Sequence, residues 1–462
     1  MSSSTNTIVQ VATELKSSMS KNTQVLIDPL DEAFKTSMKR WSDEHIKIPS
    51  VIFQPGSEED VVKIVNSALE NKIPFVPKSG GNSPWSSIGS EGWIIDLSRL
   101  TDIKVDSQNQ TVTLQPGVQT KAVNVAVANE SFVIQSPSGS GVCYIPFMLG
   151  GGSTYLAGMY GMAVDSLVSA RVITATKGLV TCSENENPDL FWALKGAGQF
   201  FGIVTEVTMR IYKLEYPITS WTCIFLPSQI EAVTEVLEER VNNVDGLSPG
   251  MCAIMAPPGQ TKPMIMVSVT HFRPEAEAEE FMAPFIALKP VQNIRKVVGW
   301  GNITDPTDAL SKQGGLRALV SCGLQKFDGK KFIYALDSWQ KLVDEAPGAA
   351  GTMTMFGWYS NEVLKKIPEE STPWSHRDCP IWYMGFISAT DMEANKAALK
   401  NANDFVVYCQ KDQKDSEKAM FPNHTRGDNL KYRYRGEDRL KKLRALKRTW
   451  DPEGVFTQQF LS

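Results

Sequence analysis

Four histidines and seven cysteines are all that 462 residues contain of the common soft metal ligands. The cysteines are odd in number and widely scattered, with no CxxC pair and no zinc spacing, so a zinc ribbon and a disulfide framework are both excluded. Scattered thiols suit a reducing compartment, and a cytoplasmic protein is expected. The polar opening MSSSTNTIVQVATELKSSMSKN has no apolar centre of the kind a secretory signal needs. Nowhere is there an apolar stretch that would span a bilayer. Lysine plus arginine (47) nearly balances aspartate plus glutamate (51), leaving a net charge of −4. Without a basic stripe, neither nucleic acid nor an anionic membrane is an expected partner. The local exception is RLKKLRALKR at 439–448. There Leu440, Leu443 and Leu446 share one helical face, which predicts a solvated amphipathic helix.

Glycine, by contrast, is concentrated. Residues 76–83 read VPKSGGNS, with Val76 and Pro77 closing a strand and Gly80 and Gly81 forcing a tight turn. LGGGS follows at 149–153 and KGAGQFFG at 195–202. Glycine reaches positive φ at little steric cost, so such turns can aim several backbone N–H groups at one anion. Three of them beside strands argue for a large phosphate-bearing cofactor wrapped by backbone.

The length calls for more than one core, and the pattern predicts an α+β chain in two domains. An irregular arm or helical cap occupies 1–48. A cofactor domain runs over 49–217, with strands at 51–54, 73–77, 92–97, 103–106, 111–115, 170–175 and 202–212. Its helices are at 120–128 and after Ser57, whose spacing to Asp60 makes an N-cap box. Residues 218–410 alternate strands (219–226, 264–272, 353–358, 381–388) with amphipathic helices (230–241, 275–281, 330–344, 392–407). That alternation predicts an antiparallel sheet covered by helices on one face. Residues 411–462 return to glycine turns and the basic helix, ending near WDPEGVF.

These motifs resemble the berberine bridge enzyme-like branch of the vanillyl-alcohol-oxidase flavoproteins, whose FAD domain is of the PCMH type. The likeness rests on PGSEEDVVKIV, KSGGNS with GWIIDLSRLTDIKVD, LGGGSTYLAGMYGMAVDSL, NPDLFWALKGAGQFFGIVTEVTMRIY, STPWSHR and the C-terminal RLKKLRALKRTWDPEGVF, in the family's order. It implies that Lys78, Ser79, Gly80, Gly81, Asn82 and Ser83 form the pyrophosphate loop. It also implies that Gly139, Gly150, Gly151 and Gly152 border the ribityl chain or ring, and that Gly202 and Val204 lie near the adenine. Trp85 is a candidate to cover the flavin. Where many members bond a histidine to the flavin 8α-methyl this chain has Asn82, and counting back from Leu149 puts Gly139 where many have a flavin-linked cysteine. An amide forms no such bond, so non-covalent FAD is expected, with Cys143 as a residual candidate for a single link.

Flavin oxidation needs a proton acceptor and a cavity over the ring. His424, in FPNHT, falls where the family has a tyrosine, and imidazole titrates near neutrality. His424 is the leading acid/base candidate, Asn423 its orienting neighbour, and Tyr383 on the strand IWYMGF the third candidate. The glutamate base that some relatives carry on that strand is replaced by Met384 or Gly385, and Tyr383, one residue away, points to the opposite face if the strand is regular. His376 and His271 read as structural, His45 as a surface residue, and Trp358, Tyr359 and Trp382 as possible pocket walls. The expected function is FAD-linked oxidation of a fairly large apolar small molecule in secondary metabolism, with O2 as acceptor and no metal. The alternative is a redox-neutral isomerase or cyclase in the same pocket, with FAD structural or absent.

Overall fold

The first helix after Pro49 begins where the capping pattern puts it. Ser57 accepts a hydrogen bond from the Asp60 amide, and Glu58–Glu70 follows with Val61, Ile64, Val65 and Ala68 buried. A computed structural model describes residues 3–424 and 429–456. The tip of the N-terminal arm (1–2), residues 425–428 and the last residues of the C-terminal segment (457–462) lie outside it.

Three sheets carry the described residues. The first is four-stranded, in the order Gln24–Leu26, Val51–Gln54, Trp93–Asp96, Phe75–Lys78. Its last three strands are parallel and the first pairs antiparallel. The arm is therefore more ordered than its composition suggests. It supplies helix Ser3–Lys16, the edge strand and helix Glu32–Met38. Asp60 fastens it, accepting from the Ser20 and Thr23 hydroxyls at 2.6 and 2.7 Å. The second sheet is five-stranded and antiparallel: Ile103–Asp106, Thr111–Leu114, Ile203–Arg210, Leu167–Thr174, Gly178–Ser183.

The third sheet has seven antiparallel strands in the order Gln292–Val298, Ile218–Phe225, Met264–His271, Gly250–Met255, Met353–Trp358, Ile381–Ala389, Leu316–Leu324. Helices Ile230–Asn242, Glu275–Ala287, Gly329–Glu345 and Met392–Cys409 pack on one face. There Leu237, Met282, Trp339 and Phe405 meet Cys252, Val267, Phe356 and Tyr383. Residues directly opposite on antiparallel strands share a face, so the register fixes the other side. One row reads Trp382, Gly357, Met251, Ser268 and Thr222, and the next reads Ser321, Met384, Met355, Ala253 and Met266. Three of the seven strands escape the pattern reading. Gln292–Val298 is an edge whose charged and apolar residues do not alternate, while Gly250–Met255 and Leu316–Leu324 have near-continuous apolar centres.

The basic helix Glu437–Trp450 is amphipathic as expected but not simply solvated. Leu443, Lys447 and Trp450 are buried. The Lys447 ammonium donates to the carbonyls of Phe200 and Phe456 at 2.6 Å each and pairs with Asp451. Among the described residues no helix is long and apolar enough to cross a membrane.

Candidate active site

The loop at 79–83 leaves the parallel strand Phe75–Lys78 at its C-terminal end, with Gly81 at φ +70°. None of its five backbone N–H groups has a hydrogen-bond partner among the described residues. Buried charge lies beneath it. Lys78 reaches Asp96 at 3.0 Å, and Asp96 also accepts from Ser37, from Gln54 at 3.1 Å and from the Ser98 amide. Burial alone would raise the Asp96 carboxyl, but Lys78 and these donors outweigh it and hold it below its usual range. From the arm comes Arg40, also buried. Its guanidinium donates to the carbonyls of Ser37 and Ser86 at 2.7 and 2.8 Å, and burial draws its pKa down to about 10 against the pull of Asp96. Its Cδ would lie 3.0 Å from a Cβ placed at Gly81, so a side chain at this left-handed position would be strained and would press on the arginine. The Trp41 amide donates to Gly81 O at 3.1 Å. Two buried cations and one buried anion thus underlie unpaired N–H groups, the makings of an anion site.

The second glycine cluster is tied to the C-terminal segment. Asn423 donates to Phe147 O at 2.8 Å and accepts from the Gly152 amide at 3.3 Å, closing the turn after Tyr144–Leu149. A Cβ at Gly150 would collide with the Asn423 amide, and one at Gly151 with the Trp374 ring. Trp374 also abuts Gly196, so it stands between the second and third clusters. These absent side chains make room for protein groups. Gly202 does likewise, since its Cβ would strike Ile173 O, and Val204 is buried in the five-stranded sheet opposite Val172. Gly139 sits beside Ser311 of the second domain, and Cys143 lies with its sulfur 3.1 Å from a Cβ at Gly80. Asp165 and Arg377 form a bidentate buried pair at 2.8 and 3.1 Å, holding the segment after the glycines to the STPWSHR loop.

His424 follows Asn423, its ring 5.1 Å from Phe421, with Nδ1 sealed from solvent and without a hydrogen-bond partner among the described residues. Burial pulls its pKa down to about 4, so the imidazole is neutral at pH 7. The other histidines lie elsewhere. His376 is fully buried with Nε2 3.1 Å from Arg433 O, His271 bonds Ser248 at 2.9 Å, and His45 is exposed beside Glu44. The expectation for Tyr383 is corrected. Strand alternation turns it to the helix-covered face, packed on Phe356 and Phe405, away from Asn423 and His424. Trp358 is on that face too, bonded to Ser248 O. Trp382 faces the other way, donating to the Tyr359 hydroxyl at 2.7 Å, with its ring 4.9 Å from Phe421. Trp85 lies under the Arg433 guanidinium at 4.9 Å. Pattern reading missed Arg40 and Trp41, because nothing in a polar arm marks one arginine–tryptophan pair as the floor of a loop further along the chain.

The family described as FAD binding domain matches residues 49–183. FAD-linked oxidoreductase hasG of Aspergillus fumigatus is 30% identical over 449 residues, covering 93% of this chain and 95% of that protein. The chain belongs to the FAD-linked oxidoreductases. Solved structures agree in fold with this flavoenzyme. Wild-type Physcomitrella patens BBE-like 1 superposes at TM-score 0.85 with 15% identity, covering 98% of this chain and 99% of that one. The glucooligosaccharide oxidase of Acremonium strictum, whose FAD is 6-S-cysteinyl and 8α-N1-histidyl, gives 0.80 with 20% identity, covering 99% and 98%. The unpaired amides at 79–83 and the buried cations behind them fit a dinucleotide's pyrophosphate in this flavoenzyme.

Proposed function

We propose that this oxidoreductase binds FAD without a covalent bond and oxidises a fairly large, apolar small molecule of secondary metabolism, with O2 as acceptor, in the cytoplasm. The observation that carries the reading is the cradle at 79–83, five unpaired amides over Lys78 and Arg40. In this reading Ser79, Gly80, Gly81, Asn82 and Ser83 hold the pyrophosphate. Gly139 and Gly150 to Gly152 border the ribityl chain and ring, and Val204 lies toward the adenine. When bound, FAD supplies the two-electron acceptor chemistry, with hydrogen peroxide as the product from O2.

Two side chains bear on the attachment of the flavin. Asn82 has no nucleophilic nitrogen to offer. Cys143 is a buried thiol whose pKa is pushed up to about 12 by burial, so it is not a thiolate at neutral pH. His424 accepts the substrate proton as a neutral imidazole, and the Asn423 bonds to Phe147 and Gly152 hold the backbone beside it in position. The seven cysteines are buried and unpaired, which supports a reducing compartment.

Acid precipitation tests the attachment. The purified protein is expected to be yellow and to leave its colour in the supernatant, with FAD recovered intact by chromatography. A yellow pellet would overturn the non-covalent assignment, and a colourless preparation that still turns over substrate would favour redox-neutral chemistry.

A further inference from the structure

We infer that the face of the seven-stranded sheet turned away from its helices is a slot for a flat, uncharged aromatic ring system, floored by Gly357 and walled by methionine. The inference deepens the proposed function and rests on it for the identity of the site.

Six methionines (Met251, Met255, Met266, Met353, Met355 and Met384) cluster on this face with Trp41 and Phe386. The two central rows defined by the register carry no charge. Gly357 stands between Trp382 and Met251 in the first row. A Cβ there would meet nothing nearer than the Met384 methyl at 3.6 Å, an ordinary contact, whereas one at Gly323 would collide at 2.9 Å. Half-buried Gly357 therefore has room for a side chain above the sheet without a clash, and Gly323 does not.

Both ends of this face touch the candidate site. Trp382 leads through Phe421 to His424, in steps of 4.9 and 5.1 Å. Trp41, its ring 5.6 Å from Phe386, donates its backbone amide to Gly81. A molecule over Gly357 thus lies between the proposed proton acceptor and the loop of the proposed cofactor.

The wall chemistry selects the ligand. Thioethers are polarisable, favour aromatic edges and adapt to differing outlines. They donate no hydrogen bonds, so the hydroxyls of a sugar would be buried unpaired against them. The Thr222 and Ser268 hydroxyls are already bonded to each other at 2.9 Å. One hydroxyl remains. Ser321, 3% exposed, has its Oγ without a partner among the described residues beside Met384, and it matches a single phenol or carbonyl on the ring system.

The test uses the FAD-loaded enzyme under anaerobic conditions, titrated with 9-anthracenemethanol and, separately, cellobiose. Binding is read from the flavin difference spectrum and chemistry from bleaching near 450 nm. Saturable binding of the aromatic alcohol is expected, weakened at least tenfold in Gly357→Phe at unchanged FAD content and melting temperature. If Gly357→Phe fails to retain FAD, Gly357→Val is the reporter and is expected to weaken binding several-fold. Aromatic binding unaffected by both substitutions, or binding of cellobiose in preference, would overturn the slot. Aromatic binding sensitive to Gly357 but without bleaching would uphold the slot and count against the oxidase reading. Bleaching by cellobiose would uphold the oxidase reading and sink the slot.

Discussion

In the proposed function His424 and Asn423 divide the work of one short segment. The asparagine is engaged through both its nitrogen and its oxygen, with the Phe147 carbonyl and the Gly152 amide, so it fixes geometry and moves no proton. The histidine keeps an unpartnered ring nitrogen in a place that disfavours its charged form. A neutral imidazole at pH 7 is ready to accept a proton and, once charged, is strongly driven to release it. Replacing it with phenylalanine keeps the volume and the contact with Phe421 but removes the acceptor. His424→Phe is expected to lower kcat by about 10²–10⁴-fold, the usual contribution of a positioned base, with FAD content unchanged. Stopped-flow reduction and the flavin-to-protein absorbance ratio measure the two quantities, and a variant reducing at the parental rate would remove His424 from the role. In the sequence this residue is singled out by its place in FPNHT, where the resembled family has a tyrosine. Strand alternation already turned Tyr383 away from Met384, but which of the two faces meets the helices is settled only by the fold.

The cradle at 79–83 is built by elements far apart in the chain. The strand Phe75–Lys78 delivers the loop, Trp93–Asp96 delivers the counter-charge, and the segment after helix Glu32–Met38 delivers Arg40. The glycine spelling of the loop was visible in the sequence, but its electrostatics were not, since Asp96 and Arg40 belong to other motifs. The arrangement has an energetic consequence. Asp96 is fully buried and, among the described residues, is the only carboxylate paired with Lys78, so its removal strands buried positive charge. Breaking such a pair from one side costs about 3–5 kcal/mol, whereas replacing both members with apolar groups is close to neutral. Asp96→Asn is therefore expected to lower the melting temperature of the apoprotein by several degrees, and Lys78→Met/Asp96→Leu to recover most of the loss. Recovery by the double variant would be seen in apoprotein melts at matched pH. Equal melting of Asp96→Asn and the parent would mean that the pair does not hold the loop. The glycines at 150–152 illustrate the converse limit of pattern. They announce close approach, yet the neighbours that fill the space, Asn423 and Trp374, come from the far end of the chain and carry no local signature.

At the scale of the whole molecule, the α+β class and the helix-covered antiparallel sheet were readable from periodicity, since capped helices and alternating strands are local signals. The arm at 1–48 was not, because its edge strand is three residues long and is fixed by Asp60 of another element. The same burial that organises the two cores also sets how the protein meets acid. His271 and His376 are fully buried, and burial pulls each down to about 3 from an ordinary value of 6.5. His424 is pulled down in the same direction, to about 4. In the folded chain these rings stay neutral well below pH 6, while in the unfolded chain they take up protons as pH falls through 6.5. The unfolded state then binds more protons, so stability is fully present above about pH 6.5 and is lost as pH falls from there toward the folded values. Each of the two fully buried rings accounts for about 2 kcal/mol of loss at pH 5 relative to pH 7. Carboxylates held low, such as Asp96 and Asp60, remain ionised over this range and add nothing to the slope until more acid conditions. Urea midpoints of the apoprotein are therefore expected to fall steadily between pH 7 and 5. His376→Phe should flatten that slope by one proton even if it shifts the midpoint at pH 7. A midpoint that stays level over those two units would mean that these rings are protonated or solvated in the folded protein, and that the packing around them is looser than their burial implies.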